Sequence, residues 1–332
     1  MKKIVLASLL LAVAGAAQAQ QQPQFTHYGL NGMYLNPAYA GVKQQVEVNV
    51  IGRYQYLNLG NSTPTDDNGS PRTGMVSASI PILPISGGVG IAAYYDQAGA
   101  TKLSNVALSY SQHIRLGKGR LGIGIQGTYT RIGKGTYRAI DPDDVNIPAN
   151  SSDGKFDAGA GLWYESPKFY AGLSTNNLFR AKYQFTGAGA KGIGSQYLGE
   201  NHAYLTMGYN IEASSSVVIT PMVLAKAVLP GDYDTKSKYD NQHNYSFEGG
   251  VRATFNDQFS VGANYRYDES ISGLVGYAFG ADNRYRIGYA FDFIAFNQDA
   301  RAFSSHEILL QLRLPKMLPL IRPAIHTPRY SF

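Results

Sequence analysis

The chain contains no cysteine among its 332 residues. That excludes a disulfide framework, thiolate metal sites, a cysteine nucleophile and a lipoprotein anchor. Charge is scarce, at 16% of residues, and tryptophan occurs once. Long apolar runs are missing too. Outside Met1 to Ala19 no stretch reaches the roughly 18 residues that a spanning helix needs, and the best candidate, Val217 to Leu229, is broken by Thr220, Pro221 and Lys226. The formal charge of +6 falls to +4 once Lys2 and Lys3 are set aside, too small a surplus for nucleic acid to be a partner.

Those two lysines, the apolar run from Ile4 to Ala14 and the small-x-small step Ala17-Gln18-Ala19 read as a secretory signal over residues 1–19, with Gln20 opening the mature chain. What the chain has in quantity is tyrosine, 25 residues, and glycine, 37 residues. With so little charge, this fits an all-β protein with aromatic interfaces better than a soluble α/β enzyme.

The periodicity agrees. Val46, Val48, Val50, Gly52, Tyr54 and Tyr56 alternate with Glu47, Asn49, Ile51, Arg53 and Gln55, giving one apolar and one mostly polar face. The pattern recurs at Leu121 to Thr130, Tyr245 to Phe255, Phe259 to Tyr267 and Tyr285 to Phe293, with aromatics near the strand ends where bilayer interfaces place them. About 14 such segments follow: 46–56, 73–81, 88–96, 104–114, 121–131, 156–164, 168–176, 202–211, 216–226, 244–255, 258–267, 271–279, 284–293 and 305–314. Long links such as Leu57 to Arg72, Ile132 to Lys155, Asn177 to Asn201 and Ala227 to His243 mostly alternate with tight turns such as Asn256-Asp257. Asp268-Glu269-Ser270 is short where a long outer loop is expected. In hydrocarbon every backbone N–H and C=O needs a partner, so the sheet must close. The expectation is a transmembrane outer-membrane β-barrel of about 14 antiparallel strands over 46–314, preceded by a periplasmic or lumen-filling segment over 20–45 and followed by a periplasmic tail over 315–332. Pro221 lacks a donor and predicts a bulge or strand end.

Motifs for chemistry fail on context. Gly122 to Gly127 fits G-x-G-x-x-G and Gly88 to Ala93 its G-x-G-x-x-A form, but both lie inside strands and neither opens a helix. Inward small residues there let something approach the wall closely. His306-Glu307 lacks the second His of a zinc hydrolase, since residue 310 is leucine. It reads instead as an interfacial His beside an inward Glu. No G-x-S-x-G elbow occurs, and the six histidines are scattered. No catalytic residue, cofactor or metal site is expected; the acidic run Asp141-Pro142-Asp143-Asp144 offers oxygen ligands for calcium without EF-hand spacing, and a solvated acidic loop is its default reading.

The inward ionisable positions are Glu47, Arg53, Asp96, Arg131, Asp157, Glu248, Arg252, Arg266, Arg286, Asp292, Glu307 and Arg313. Their mixed signs on neighbouring strands either pair into a rigidifying ladder or line a pore, and pairing is favoured because so wide an interior needs filling.

Gln24-Phe25 and Leu35-Asn36-Pro37-Ala38-Tyr39-Ala40-Gly41 resemble the N-terminal signature of the PorP/SprF family of Bacteroidota outer-membrane proteins. Phe156 to Gly161, Phe169 to Ser174, Gly262 to Arg266, Arg286 to Asp292, Ser305 to Ile308 and Thr327 to Tyr330 are similar to further blocks of that family, in the same order. The resemblance implies a non-enzymatic role in type IX secretion. Its partners would be a periplasmic peptidoglycan-binding lipoprotein and ring or translocon components, or a secreted client with a type B sorting domain, as in gliding motility. Phe25, Tyr28, Tyr34, Asn36, Pro37 and Tyr39 are then the candidate residues that fold against the lower mouth or interior and help form a docking surface. The rival reading is a passive porin or hydrophobic-solute channel, and a weaker one an outer-membrane enzyme.

Overall fold

The structure, a computed structural model, describes residues 22–57, 70–135, 151–186, 193–229, 245–296 and 304–316. The expected signal over 1–19, the acidic run at Asp141 to Asp144 and the tail beyond residue 316 lie outside the described residues.

Fourteen antiparallel strands close into a barrel. They are β1 (Glu47–Tyr54), β2 (Arg72–Ile82), β3 (Gly87–Ala98), β4 (Thr101–Leu116), β5 (Gly119–Lys134), β6 (Ser151–Glu165) and β7 (Phe169–Asn176), then β10 (Asn201–Tyr209) and β12 (Val217–Leu229), then β13 (Tyr245–Phe255), β14 (Phe259–Arg266), β15 (Ser270–Phe279), β16 (Tyr285–Ile294) and β17 (Ser304–Arg313). A small hairpin, β8 (Lys182–Thr186) and β9 (Ile193–Leu198), stands outside the wall order, and the short β11 (Ile211–Ser214) extends the line of β10 along β12. Closure is made by β1 against β17, in register from Glu47 opposite Arg313 to Tyr54 opposite His306. Neither sheet margin is left unpaired, as hydrocarbon requires.

Period two decides the two faces. Val50, Leu108, Ile123, Ile125, Phe247, Tyr289, Ile308 and Leu310 are exposed on the outside, where lipid covers them. Their neighbours Asn49, Arg53, Ser109, Thr128, Glu248, Asp292 and Glu307 are buried inside. Two local expectations need correction. Arg131 is exposed, because it lies two residues after outward Tyr129 and shares its face; its Nη2 donates to Ser152 Oγ at 2.9 Å. Pro221 ends nothing: β12 runs through it in unbroken register with β13. The interruption falls in the neighbouring strand instead, at Asn210 between β10 and β11, with a bulge between Glu212 and Ser214. A residue without a donor is tolerated beside a break in the ladder.

Tight turns lie at the end that holds residue 46 and Arg313, which in outer-membrane barrels is the periplasmic end. At the other end the β8–β9 hairpin packs Tyr183 and Phe185 on Ile132 of β5. The alternation of long and short links reads 177–201 as a loop; its two strands pair with each other and do not add to the wall.

Candidate functional site

Residues 22–45 lie within the cylinder. A 3-10 turn at Tyr28–Leu30, one α-turn at Gly32–Leu35 and a second 3-10 turn at Pro37–Tyr39 compact the segment. None of these is long enough to be stable alone, so the wall holds them. Phe25, Tyr28, Met33, Leu35, Ala38, Tyr39, Ala40 and Val42 are all buried, as are Gln24, Thr26, His27, Asn31 and Asn36.

The motif Asn36-Pro37-Ala38-Tyr39 has a direct physical reading. Asn36 caps the second 3-10 turn by accepting from Ala38 N at 2.9 Å, and Pro37 sits at the first turn position where its missing donor costs nothing. The same Asn36 side chain donates Nδ2 to the carbonyls of Leu162 on β6, at 2.9 Å, and Leu173 on β7, at 3.1 Å. Tyr39 packs edge-on to Trp163 at 5.0 Å and donates its hydroxyl to Glu47, while Trp163 stacks on Tyr170 at 5.5 Å. Phe25 joins Ile51, Met75, Tyr94 and Leu309 and meets Tyr34 edge-on at 5.0 Å. Tyr28 sits with Leu35, Tyr204, Met222 and Leu224 and donates to the Met222 carbonyl at 3.2 Å. Burial holds the phenols of Tyr34 and Tyr39 well above their usual pKa, and the Glu47 carboxylate adds to this at Tyr39, so both remain donors. Tyr34 donates its hydroxyl to the Pro23 carbonyl at 2.6 Å.

The wall is thinned to admit the segment. A Cβ at Gly124 would lie 2.5 Å from the Pro37 carbonyl carbon, one at Gly88 2.6 Å from Gly41 Cα, one at Gly90 2.7 Å from Met33 Cε and one at Gly161 2.9 Å from Asn36 Cγ. Within the two dinucleotide-like motifs, Gly88, Gly122 and Gly124 are therefore where wall backbone meets segment backbone. Gly41 itself, at φ +69°, turns the chain beside Pro81 and Gly88 towards β1.

Most of the inward charges fall into three groups. In the first, Arg53 of β1 donates Nη2 to Asp292 of β16 at 2.6 Å and Nη1 to Glu307 of β17 at 3.0 Å and to Thr26 Oγ1 at 2.8 Å. Glu307 also accepts the backbone N–H of Thr26 at 2.8 Å and of His27 at 2.9 Å, and lies 2.7 Å from His27 Nδ1. In the second, Arg266 of β14 bonds Glu248 of β13 at 3.0 Å and Glu269 at 2.9 Å. Asn264 links the two by donating to the Thr26 carbonyl at 3.0 Å and to Glu248 at 2.9 Å. The third is Arg252, Arg286 and Arg313, with no carboxylate within ion-pair distance of them among the described residues. Glu47, directly opposite Arg313, is engaged instead by Tyr39 and by Gln45 Nε2 at 2.7 Å. The ion pairs thus lie in the outer half of the lumen, and the three arginines without a carboxylate partner among the described residues lie in the periplasmic half. Of the other inward carboxylates, Asp96 accepts from Thr73 Oγ1 at 2.6 Å and Asp157 from the backbone N–H of Phe179 at 2.9 Å and Ala181 at 3.2 Å.

Sequence reasoning missed Thr26, His27, Asn264 and Glu269, and missed the wall hydroxyls Ser79, Ser111 and Ser174, which bond Gly41 N at 2.8 Å and the carbonyls of Ala38 at 3.0 Å and Leu35 at 2.6 Å. The serines and Asn264 were readable as inward small polar positions of their strands; nothing local distinguishes Thr26 or His27.

Residues 17–312 match the family described as Type IX secretion system membrane protein PorP/SprF. No curated protein matches the chain. Among solved structures it is similar to the Ralstonia pickettii toluene transporter TbuX, at 14% identity over 92% of this chain and 96% of that one, with a TM-score of 0.51. It is also similar to the Pseudomonas putida toluene transporter TodX, at 10% identity over 88% and 94% with a TM-score of 0.44, and to the Acinetobacter baumannii outer membrane protein Omp33, at 11% over 82% and 100% with 0.40. An identity as low as that to TbuX speaks to the fold alone, and that fold is an outer-membrane barrel. The match over nearly the whole chain, on a closed barrel whose lipid-facing band is apolar, places it in the outer membrane and makes it a member of the PorP/SprF family of type IX secretion system membrane proteins.

Proposed function

We propose that the chain is a non-enzymatic anchor and accessory of type IX secretion. It supports the export or surface attachment of a client bearing a type B sorting domain, of the adhesin or gliding kind, or ties the translocon to a periplasmic peptidoglycan-binding lipoprotein and ring components. One observation carries this: the lumen is occupied by the chain's own residues 22–45, bonded to strands on opposite sides of the cylinder. A filled interior suits a rigid platform better than a conduit. The segment's periplasmic end, at the half-buried Lys43, Gln44 and Gln45, then presents a docking surface.

Deleting Gln24 to Gly41 in a strain that still assembles the barrel is expected to abolish client secretion. Full secretion by that strain would remove the docking role. A second reading is a hydrophobic-solute channel, favoured by the fold shared with a protein described as a toluene transporter. Planar-bilayer recordings separate the anchor, which passes little current, from a passive porin, which passes much; uptake of an apolar solute by cells with and without the chain separates it from a hydrophobic-solute channel.

A further inference from the structure

At the periplasmic mouth, between the exit of the N-terminal segment and the turns of β4–β5 and β6–β7, lies a cleft of about 540 Å³. Six cations line it: Lys43, Arg115, Lys118, Arg120, Arg313 and Lys316. Its one carboxylate is Glu165, which accepts from Trp163 Nε1 at 2.8 Å. Among the described residues, no carboxylate comes within ion-pair distance of any of the six. Arg313 Nε is buried with no hydrogen-bond partner. Arg115 and Arg120 stand directly opposite each other across β4 and β5, with Lys118 in the turn between them. Like charges in that register weaken a sheet, and the fold keeps them unneutralised. Local rules of this kind are broken mostly at functional sites.

We propose that this cleft binds an acidic peptide segment of a periplasmic protein. Val42 and Gln45 of the lumen segment form part of its lining, so it opens towards the barrel axis and away from the lipid rim. Its volume far exceeds one phosphate, and its cations come from three separate elements, which suits several spaced carboxylates. Arginine forks donate to such carboxylates bidentately, and a mouth lined by one sign of charge concentrates an anionic partner. The inference rests on the periplasmic-link reading above for the nature of the partner, and supplies its chemistry.

The test uses the full mature chain in detergent micelles and a fluorescently labelled peptide of alternating Glu and Ser, followed by anisotropy. Binding is expected at low salt, with steep weakening as salt rises. The double variant Arg115→Glu/Lys118→Glu changes two exposed side chains, one in the last residues of β4 and one in the turn after it, and is expected to bind roughly tenfold or more weakly. Lys155→Glu, at the opposite end of the wall, is expected to leave affinity unchanged. Absence of binding, or equal binding by the double variant, would overturn the proposal. So would displacement by inorganic phosphate at matched charge, which would make this a small-anion site. These results are independent of the secretion assay, so a deletion strain that secretes normally would remove the secretory role while leaving the cleft's ligand measurable.

Discussion

At the scale of single residues, the arginine that matters most to the interior is Arg53. It is buried against Asp292 and Glu307, two carboxylates that would otherwise face each other with no cation between them. Removing one member of such a group leaves buried charge uncompensated, at a cost of about 3–5 kcal/mol. Arg53→Met is therefore expected to loosen the N-terminal segment, read as a rise in bilayer conductance and a lower unfolding temperature; Arg53→Lys, which keeps the charge without the fork, should fall between. The glycines give a cleaner contrast. Gly124→Leu drives a side chain into Pro37 and Ala38, whereas a Cβ at Gly127, three residues along the same strand, meets nothing within 4 Å. The first should raise conductance and the second, as Gly127→Ala, should not. The alternating pattern made the inward position of Gly122 and Gly124 legible; what they face was not, since it comes from residues about 85 positions earlier in the chain.

At the scale of elements, the N-terminal segment is a set of short turns whose order comes from the wall. Asn36 does most to fix its middle, joining the 3-10 turn to β6 and β7. Asn36→Ala leaves two wall carbonyls and one turn N–H without their partner, and a loss of about 1–3 kcal/mol is expected. The chain's one tryptophan reports on it: Trp163 is buried between Tyr39 and Tyr170. Displacement of the segment in Asn36→Ala should expose the indole and shift its emission to the red; unchanged emission would show that the segment stays seated without that side chain. Strand existence and order were readable from alternation, and all fourteen wall strands fall where that alternation puts them, with ends shifted by a few residues. Two things were not readable. The β8–β9 hairpin, with strands of five and six residues, is too short to stand out from a loop, and the break that Pro221 predicts falls in its neighbour strand rather than its own.

At the scale of the molecule, closure and face polarity act together. The barrel exists because β1 and β17 satisfy each other's backbone, and removing Ser304–Arg313 would leave two open margins in hydrocarbon. That truncation is expected to give no heat-modifiable band on electrophoresis, while the lumen variants above retain one. The charge distribution is also a property of the whole: a paired network in the outer half, from Arg53 and Arg266, and bare arginines towards the periplasm at Arg252, Arg286 and Arg313. The mixed signs were visible in the sequence. Their separation into a neutralised half and an open half depends on which strands become neighbours at closure.

By itself the sequence determined a closed antiparallel barrel, its strand order, the lipid-facing side of nearly every strand and the family resemblance, because period-two patterning and backbone satisfaction in hydrocarbon are local constraints. Only the tertiary structure decided that residues 22–45 fill the lumen and reach its outer half, where Gln22 meets Tyr204 and Lys226. It also decided which charges find partners. Both depend on contacts between residues hundreds of positions apart, such as Thr26 with Glu307, which no local pattern encodes.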